Sequence, residues 1–341
     1  MNLLTIRLSI LIALILALSI TGQAQEGQHW YYNLTEDNIA IEGYDVVAYH
    51  AQDSAMKGMA QWELEHEGVR YLFASQQNLN TFRSDPAKYL PAFGGWCTFF
   101  MGIDVEQTNF PPTRMESDPT NFLIKDGQLY LFRKTPRQDF KEVFTSADQQ
   151  AILSTAESFW QSRLELMKGL NKKPQGLNAM ARMENLEWQP FMGKWEVDLK
   201  WWADTTGTNV VPSKGEWEFR YGYYGFCIQD DFQSVPSQPF AGAPNGPAIR
   251  GYDVVKEEWH MTYIPVNQGR AATWLMTGKF TGPGQLTGQL ETQDPYGNDI
   301  LQKIEFKLVS KDYFQWRAHW SWDDGKTWKE NVGSAECKRI E

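Results

Sequence analysis

From Trp195 onward, apolar and polar residues alternate almost one for one, and a period of two leaves the second half of this chain little but β-sheet to fold into. Trp195, Val197, Leu199 and Trp201 alternate with Glu196, Asp198 and Lys200, while Trp217, Phe219, Tyr221 and Tyr223 alternate with Glu218 and Arg220. Successive side chains of a strand point to opposite faces, so each run has one face for a core and one for water. Similar runs recur at 226–232, 249–254, 258–264, 271–280, 285–292, 300–309, 313–322 and 328–338, between Gly, Pro and Asn turns. About ten strands without helices predict a closed antiparallel barrel, since closure removes the exposed edges, with an open sandwich as the alternative.

The first half is different material. Eleven of the 15 Trp fall after Leu186, and the 341 residues suffice for about two domains. Gln61 to Glu65 alternates and turns at Glu67-Gly68 into Val69 to Phe73, and Asp126-Gly127 turns a second hairpin at 122–131. From Ile39 the chain reads as short strands alternating with tight turns, with His50 at the end of a strand, and Ser75 caps a short helix carrying Leu79 and Phe82. Ser146 and Gln149 have the spacing of a capping box, and Ile152, Ala156, Phe159, Trp160 and Leu164 then recur at helical spacing. That stripe is expected to dock on its own domain, and Asn171 to Gly176 is the linker candidate.

Residues 1–24 hold one cation, Arg7, then an apolar run from Leu8 to Ile20, then small and polar residues to Ala24. This is the pattern of a secretory signal peptide cleaved after Ala24; the run is shorter than the roughly 20 residues of a membrane-spanning helix. The expected location is periplasmic or extracellular, with no transmembrane segment in the mature chain. Three cysteines, Cys97, Cys227 and Cys337, are too few for a disulfide framework. Cys227 and Cys337 could pair, or all three could be buried thiols.

Gly43-Tyr44-Asp45-Val46-Val47-Ala48-Tyr49, the hairpin ending in Phe73-Ala74-Ser75, then Phe82-Arg83-Ser84-Asp85-Pro86-Ala87-Lys88-Tyr89 and Gly94-Gly95-Trp96-Cys97 resemble a YHS domain. The likeness extends over about 36–165 and implies an α+β module. Small members of that family are linked to heavy-metal handling and carry three thiolates; aligned on Phe73 and Asp85-Pro86, this chain has Ala48, Ala74 and Asn78 at those places. The donors that could replace them are Cys97, His50, His66, Met56, Met59 and Met101, a sulfur and imidazole set suited to copper or zinc. The same residues also read as a buried small thiol, turn and strand-end histidines, and loop or core methionines.

Phe191-Met192-Gly193-Lys194-Trp195, Ala248-Ile249-Arg250-Gly251-Tyr252-Asp253 and Asp323-Asp324-Gly325-Lys326-Thr327-Trp328 resemble a family of lipocalin-like β-barrels. That likeness implies an up-and-down barrel with an internal cavity. Trp274, Met276, Phe314, Trp316, Trp320 and Trp322 are candidates to line it around a small apolar ligand, or else the aromatics fill the interior. Haem would need an inward histidine. His260 shares a face with Glu258 and Thr262, and His319 with Gln315 and Arg317, so both are expected to point outward and haem is disfavoured.

The formal charge of −10 and the lack of any basic block exclude the footprint of a nucleic-acid binder. No Gly-x-Ser-x-Gly elbow, His-Glu-x-x-His or phosphate-binding loop is present. Asp230-Asp231, Asp294 and the Asp323-Asp324-Gly325 turn read as solvated acids rather than catalytic or calcium-binding ones. The organisation expected is a signal peptide at 1–24, a YHS-like α+β module at 25–145, a helical connector at 146–185 and an all-β lipocalin-like antiparallel barrel at 186–341. The function expected is binding, of a metal ion or a small apolar molecule, rather than catalysis; the alternative is an interaction module or hydrophobic carrier without metal.

Overall fold

The computed structural model describes residues 29–104, 110–170, 172–234, 245–264 and 273–340. Residues 1–24, expected from the sequence to be a signal peptide, lie outside the described residues. The chain divides into two compact units, one running to Lys173 and the other from Pro174.

In the first unit, α1 (Val46–Gln52) precedes the hairpin β1 (Met59–His66) and β2 (Val69–Phe73), then α2 (Gln76–Ser84) and the short α3 (Thr98–Met101). A second hairpin, β3 (Asp118–Lys125) and β4 (Gln128–Phe132), leads to α4 (Phe140–Ser146) and α5 (Gln149–Leu166). Both hairpins turn as their dipeptides require: Glu67 and Gly68 have φ of 52° and 76°, and Asp126 and Gly127 have 52° and 78°.

Two expectations are corrected. Val46 to Tyr49 is helical, because Asp45 caps it by accepting hydrogen bonds from the backbone N–H groups of Val47 and Ala48 at 2.9 and 3.3 Å. All four residues are buried, and an apolar run that short has no periodicity to separate helix from strand. The cap of α5 is Asp148, which accepts from Ala151 N at 3.1 Å. Ser146 instead closes α4, its hydroxyl donating back to the Val143 carbonyl. The α5 stripe docks within its own unit: Trp160 stacks on Tyr31 with ring centroids 5.3 Å apart.

The second unit opens with a 3-10 segment, Met183–Phe191, and continues as ten strands: β5 (Gly193–Trp202), β6 (Val210–Gly222), β7 (Cys227–Ser234), β8 (Gly246–Asp253), β9 (Glu258–Tyr263), β10 (Trp274–Gly282), β11 (Gln285–Gln293), β12 (Asp299–Ser310), β13 (Tyr313–Ser321) and β14 (Lys329–Arg339). Each pairs antiparallel with the next, and β14 pairs with β5 from Gly333 opposite Trp201 to Arg339 opposite Trp195, so the barrel is closed. Alternation decides the faces: on β5 Trp195, Val197 and Leu199 are buried while Glu196, Asp198 and Lys200 are exposed. Met183–Phe191 sends Trp188 and Phe191 into the core, where both are fully buried. Arg339 holds that segment from β14, its Nη2 donating to the Pro190 carbonyl at 2.7 Å and its guanidinium lying over Trp195. Phe191, Phe219, Phe306 and Phe314 pack on one another, each burial contributing roughly 1.5–3 kcal/mol. Cys97, Cys227 and Cys337 are free thiols.

Candidate functional site

A cavity of about 120 Å³ lies inside the barrel, and every one of the ten strands sends at least one side chain to its wall. The wall is aromatic and aliphatic, with Trp217, Phe306, Trp316 and Trp274 beside Met261, Met276 and Leu290. Into this apolar lining the fold places one ion pair, Asp230 with Arg250, whose residues are 2% and 3% exposed. Parity puts them there: Ile228, Asp230 and Phe232 share one face of β7, and Ala248 and Arg250 share one face of β8. In the register between these strands Asp230 stands opposite Ala248 and Ile228 opposite Arg250, so acid and base are diagonal neighbours.

Trp217 Nε1 donates to Asp230 Oδ1 at 2.6 Å. The Arg250 guanidinium lies 4.5 Å from the ring centre of Trp188, a cation–π contact deep in the core. Burial pulls Arg250 down to about 9, against the Asp230 carboxylate, which favours the charged form, so the guanidinium stays protonated at neutral pH. Asp230 is therefore not the solvated acid that its Asp-Asp sequence suggests, because only Asp231 turns outward, to Arg220 at 2.5 Å. Asp294 is likewise enclosed, holding Asn298 Nδ2 at 2.8 Å and Trp322 Nε1 at 3.0 Å. Asp323 spends its oxygens on Thr327 and Ser321 within its own turn, which holds its carboxyl down at about 2.

Of the aromatic residues expected at a pocket, Trp274, Met276 and Trp316 border this cavity. Trp320 packs instead with Ile300, Ala318 and Val332, and donates to the Oε1 of Gln302, which does border it, at 2.9 Å. Phe314 is in the solid part of the core, 4.6 Å from Trp195 between ring centres, and Trp322 is exposed. His260 is on the outer face beside Glu258 at 3.0 Å. His319 also lies off the cavity wall but is only 3% exposed, packed under Glu305 and Glu330. The residues that alternation alone does not single out are Asp230, Arg250 and Tyr263; the signal was a charge at an inward position of β7 and another at an inward position of β8.

In the first unit the candidate donors have separate surroundings. Cys97 is fully buried before α3, among Phe132 and Phe144, and its Sγ accepts from Arg133 N at 3.1 Å. Burial pushes its thiol up, away from the thiolate that a soft metal needs. His50 meets the ring of Tyr89 edge-on at 5.2 Å, and burial together with Lys88 lowers its pKa. His66 lies edge-on to Phe82 at 5.8 Å, Met56 and Met59 are exposed, and Met101 is buried. Among the described residues, no group of three or more His, Cys, Asp or Glu side chains is placed to hold one metal ion.

Ala48, Ala74 and Asn78, which the resemblance aligned with the thiolates of metal-associated YHS proteins, converge on one carboxylate. The buried carboxylate of Asp45 accepts from Ala48 N through Oδ1, and from Ala74 N at 2.8 Å and Asn78 Nδ2 at 2.6 Å through Oδ2. Asp45 thereby ties α1, the end of β2 and α2 into one hydrogen-bonded centre, and a carboxylate with these donors is a structural group rather than a free metal ligand.

A comparison with curated proteins finds no match to this chain. Residues 47–93, from α1 through the β1–β2 hairpin and α2 to Phe93, match the YHS domain family, so this segment of the first unit is a YHS domain.

Proposed function

We propose that this is an exported, non-enzymatic binding protein whose lipocalin-like barrel carries a small, largely apolar molecule. The observation that supports it is the space inside the barrel walled by all ten strands, in which mainly aromatic and aliphatic side chains surround the Asp230–Arg250 pair. A YHS domain at 47–93 of the same chain fits a binding role. A metal role for that domain would rest on His50, whose Nε2 is buried without a hydrogen-bond partner; the Asp45 centre at the family's thiolate positions weighs against it.

Native mass spectrometry with elemental analysis, on full-length protein purified without chelator from a metal-supplemented culture, tests both readings. A retained organic molecule lost on filling the cavity by Ala248→Phe supports the carrier. Stoichiometric copper or zinc lost on His50→Ala would move the function to the first unit. Export predicts an intact mass beginning at Gln25 in the periplasmic or extracellular fraction. A chain retaining Met1 would sink that part.

A further inference from the structure

Around the cavity, donors outnumber acceptors. Asp230 accepts from Trp217 through Oδ1, and its Oδ2 is ion-paired with Arg250 Nη1 without a hydrogen bond of good geometry. Arg250 Nε and Tyr263 Oη, by contrast, are both buried atoms without a hydrogen-bond partner, and both residues border the cavity. Buried donors are nearly always satisfied in folded proteins, so the wall asks for an acceptor. The two donors can serve one group. Ala248 pairs with Tyr263 and Arg250 with Met261 across β8 and β9, which makes Arg250 and Tyr263 diagonal neighbours on the inward face, about 7–8 Å apart at the backbone.

Charge narrows the chemistry. Asp230 and Arg250 are the only charged side chains bordering the cavity among the described residues, and they cancel. A carboxylate ligand would add an uncompensated negative charge in an apolar interior, whereas a neutral oxygen acceptor would not. Size narrows it further: about 120 Å³ is close to the roughly 150 Å³ that accommodates benzene in an engineered apolar cavity. Flat walls from Trp217, Trp274 and Trp316 suit a planar ring.

Building on the carrier reading, we propose that the barrel selects a neutral, single-ring molecule bearing a carbonyl oxygen, which Arg250 Nε and Tyr263 Oη receive while Asp230 balances the arginine. Three probes of nearly equal shape separate the possibilities: acetophenone, α-methylstyrene with the oxygen replaced by carbon, and benzoate with a charge. Calorimetric titration of the full-length protein is expected to show acetophenone binding at least tenfold more tightly than either of the others. Tyr263→Phe, which leaves the ion pair in place, should bring acetophenone to within about threefold of α-methylstyrene without changing α-methylstyrene itself. Equal binding of acetophenone and α-methylstyrene overturns the carbonyl assignment and leaves the carrier reading standing. Benzoate binding best overturns it in favour of an anion site. If none of the three binds, the carrier reading falls with it.

Discussion

Asp230 and Arg250 stabilise this fold only as a pair. Each is almost completely buried, and removing one leaves the other charged in an aromatic interior. Asp230→Ala is therefore expected to destabilise the barrel by about 3–5 kcal/mol, read from urea unfolding followed by tryptophan fluorescence. Replacing both, as Asp230→Leu with Arg250→Met, should recover most of that loss; an additive double variant would show that the pair is not coupled. Asn78→Ala removes the 2.6 Å hydrogen bond to Asp45, and is expected to cost the first unit about 1–3 kcal/mol. His50 adds a pH dependence. Its folded pKa lies below the ordinary 6.5, so the unfolded chain takes up the proton first; stability is complete above 6.5 and is lost as pH falls from there through the folded value. Unfolding midpoints of the first unit at pH 7.5 and 5.5 should differ in that direction, and His50→Gln should reduce the difference.

At the scale of elements, the docking of α5 depends on a position with no side chain. A Cβ at Gly102, just after α3, would lie 2.0 Å from the Ile152 carbonyl oxygen, so only glycine lets the two helices approach this closely. Gly102→Ala is expected to push α5 off, destabilise the unit by about 1–3 kcal/mol and raise amide exchange along Gln149–Leu166. Unchanged exchange there would mean that the backbone absorbs the methyl group. The short elements also show where local reading ends. The β1–β2 and β3–β4 hairpins were legible because Glu67-Gly68 and Asp126-Gly127 specify their own turns. Val46 to Tyr49 was not, because its helix is set by the Asp45 cap, and Asp45 is itself held by Ala74 and Asn78 from later in the chain.

At the scale of the whole molecule, no helix among the described residues is long and apolar enough to cross a membrane. The division at Lys173 and Pro174 predicts that residues 174–341 expressed alone keep the β circular dichroism and cooperative unfolding of the barrel; an unfolded product would show that this unit needs the first one. Strand number, closure and most inward faces were legible from Trp195 onward, Trp322 and His319 being exceptions, since a period of two is a property of neighbouring residues and sequential antiparallel pairing follows from short turns. The resemblance to a YHS domain likewise rested on motifs readable in order along 43–97. Which inward residues meet was not readable in that way. That Trp274 and Trp316 border open space while Trp320 packs behind Gln302 depends on depth along the barrel. That Asp230 finds Arg250 depends on the register of β7 against β8. Alternation states which face a side chain takes and is silent about its height and its cross-strand neighbour, so the strands and their sides belonged to the sequence, and the cavity with its buried ion pair to the tertiary structure.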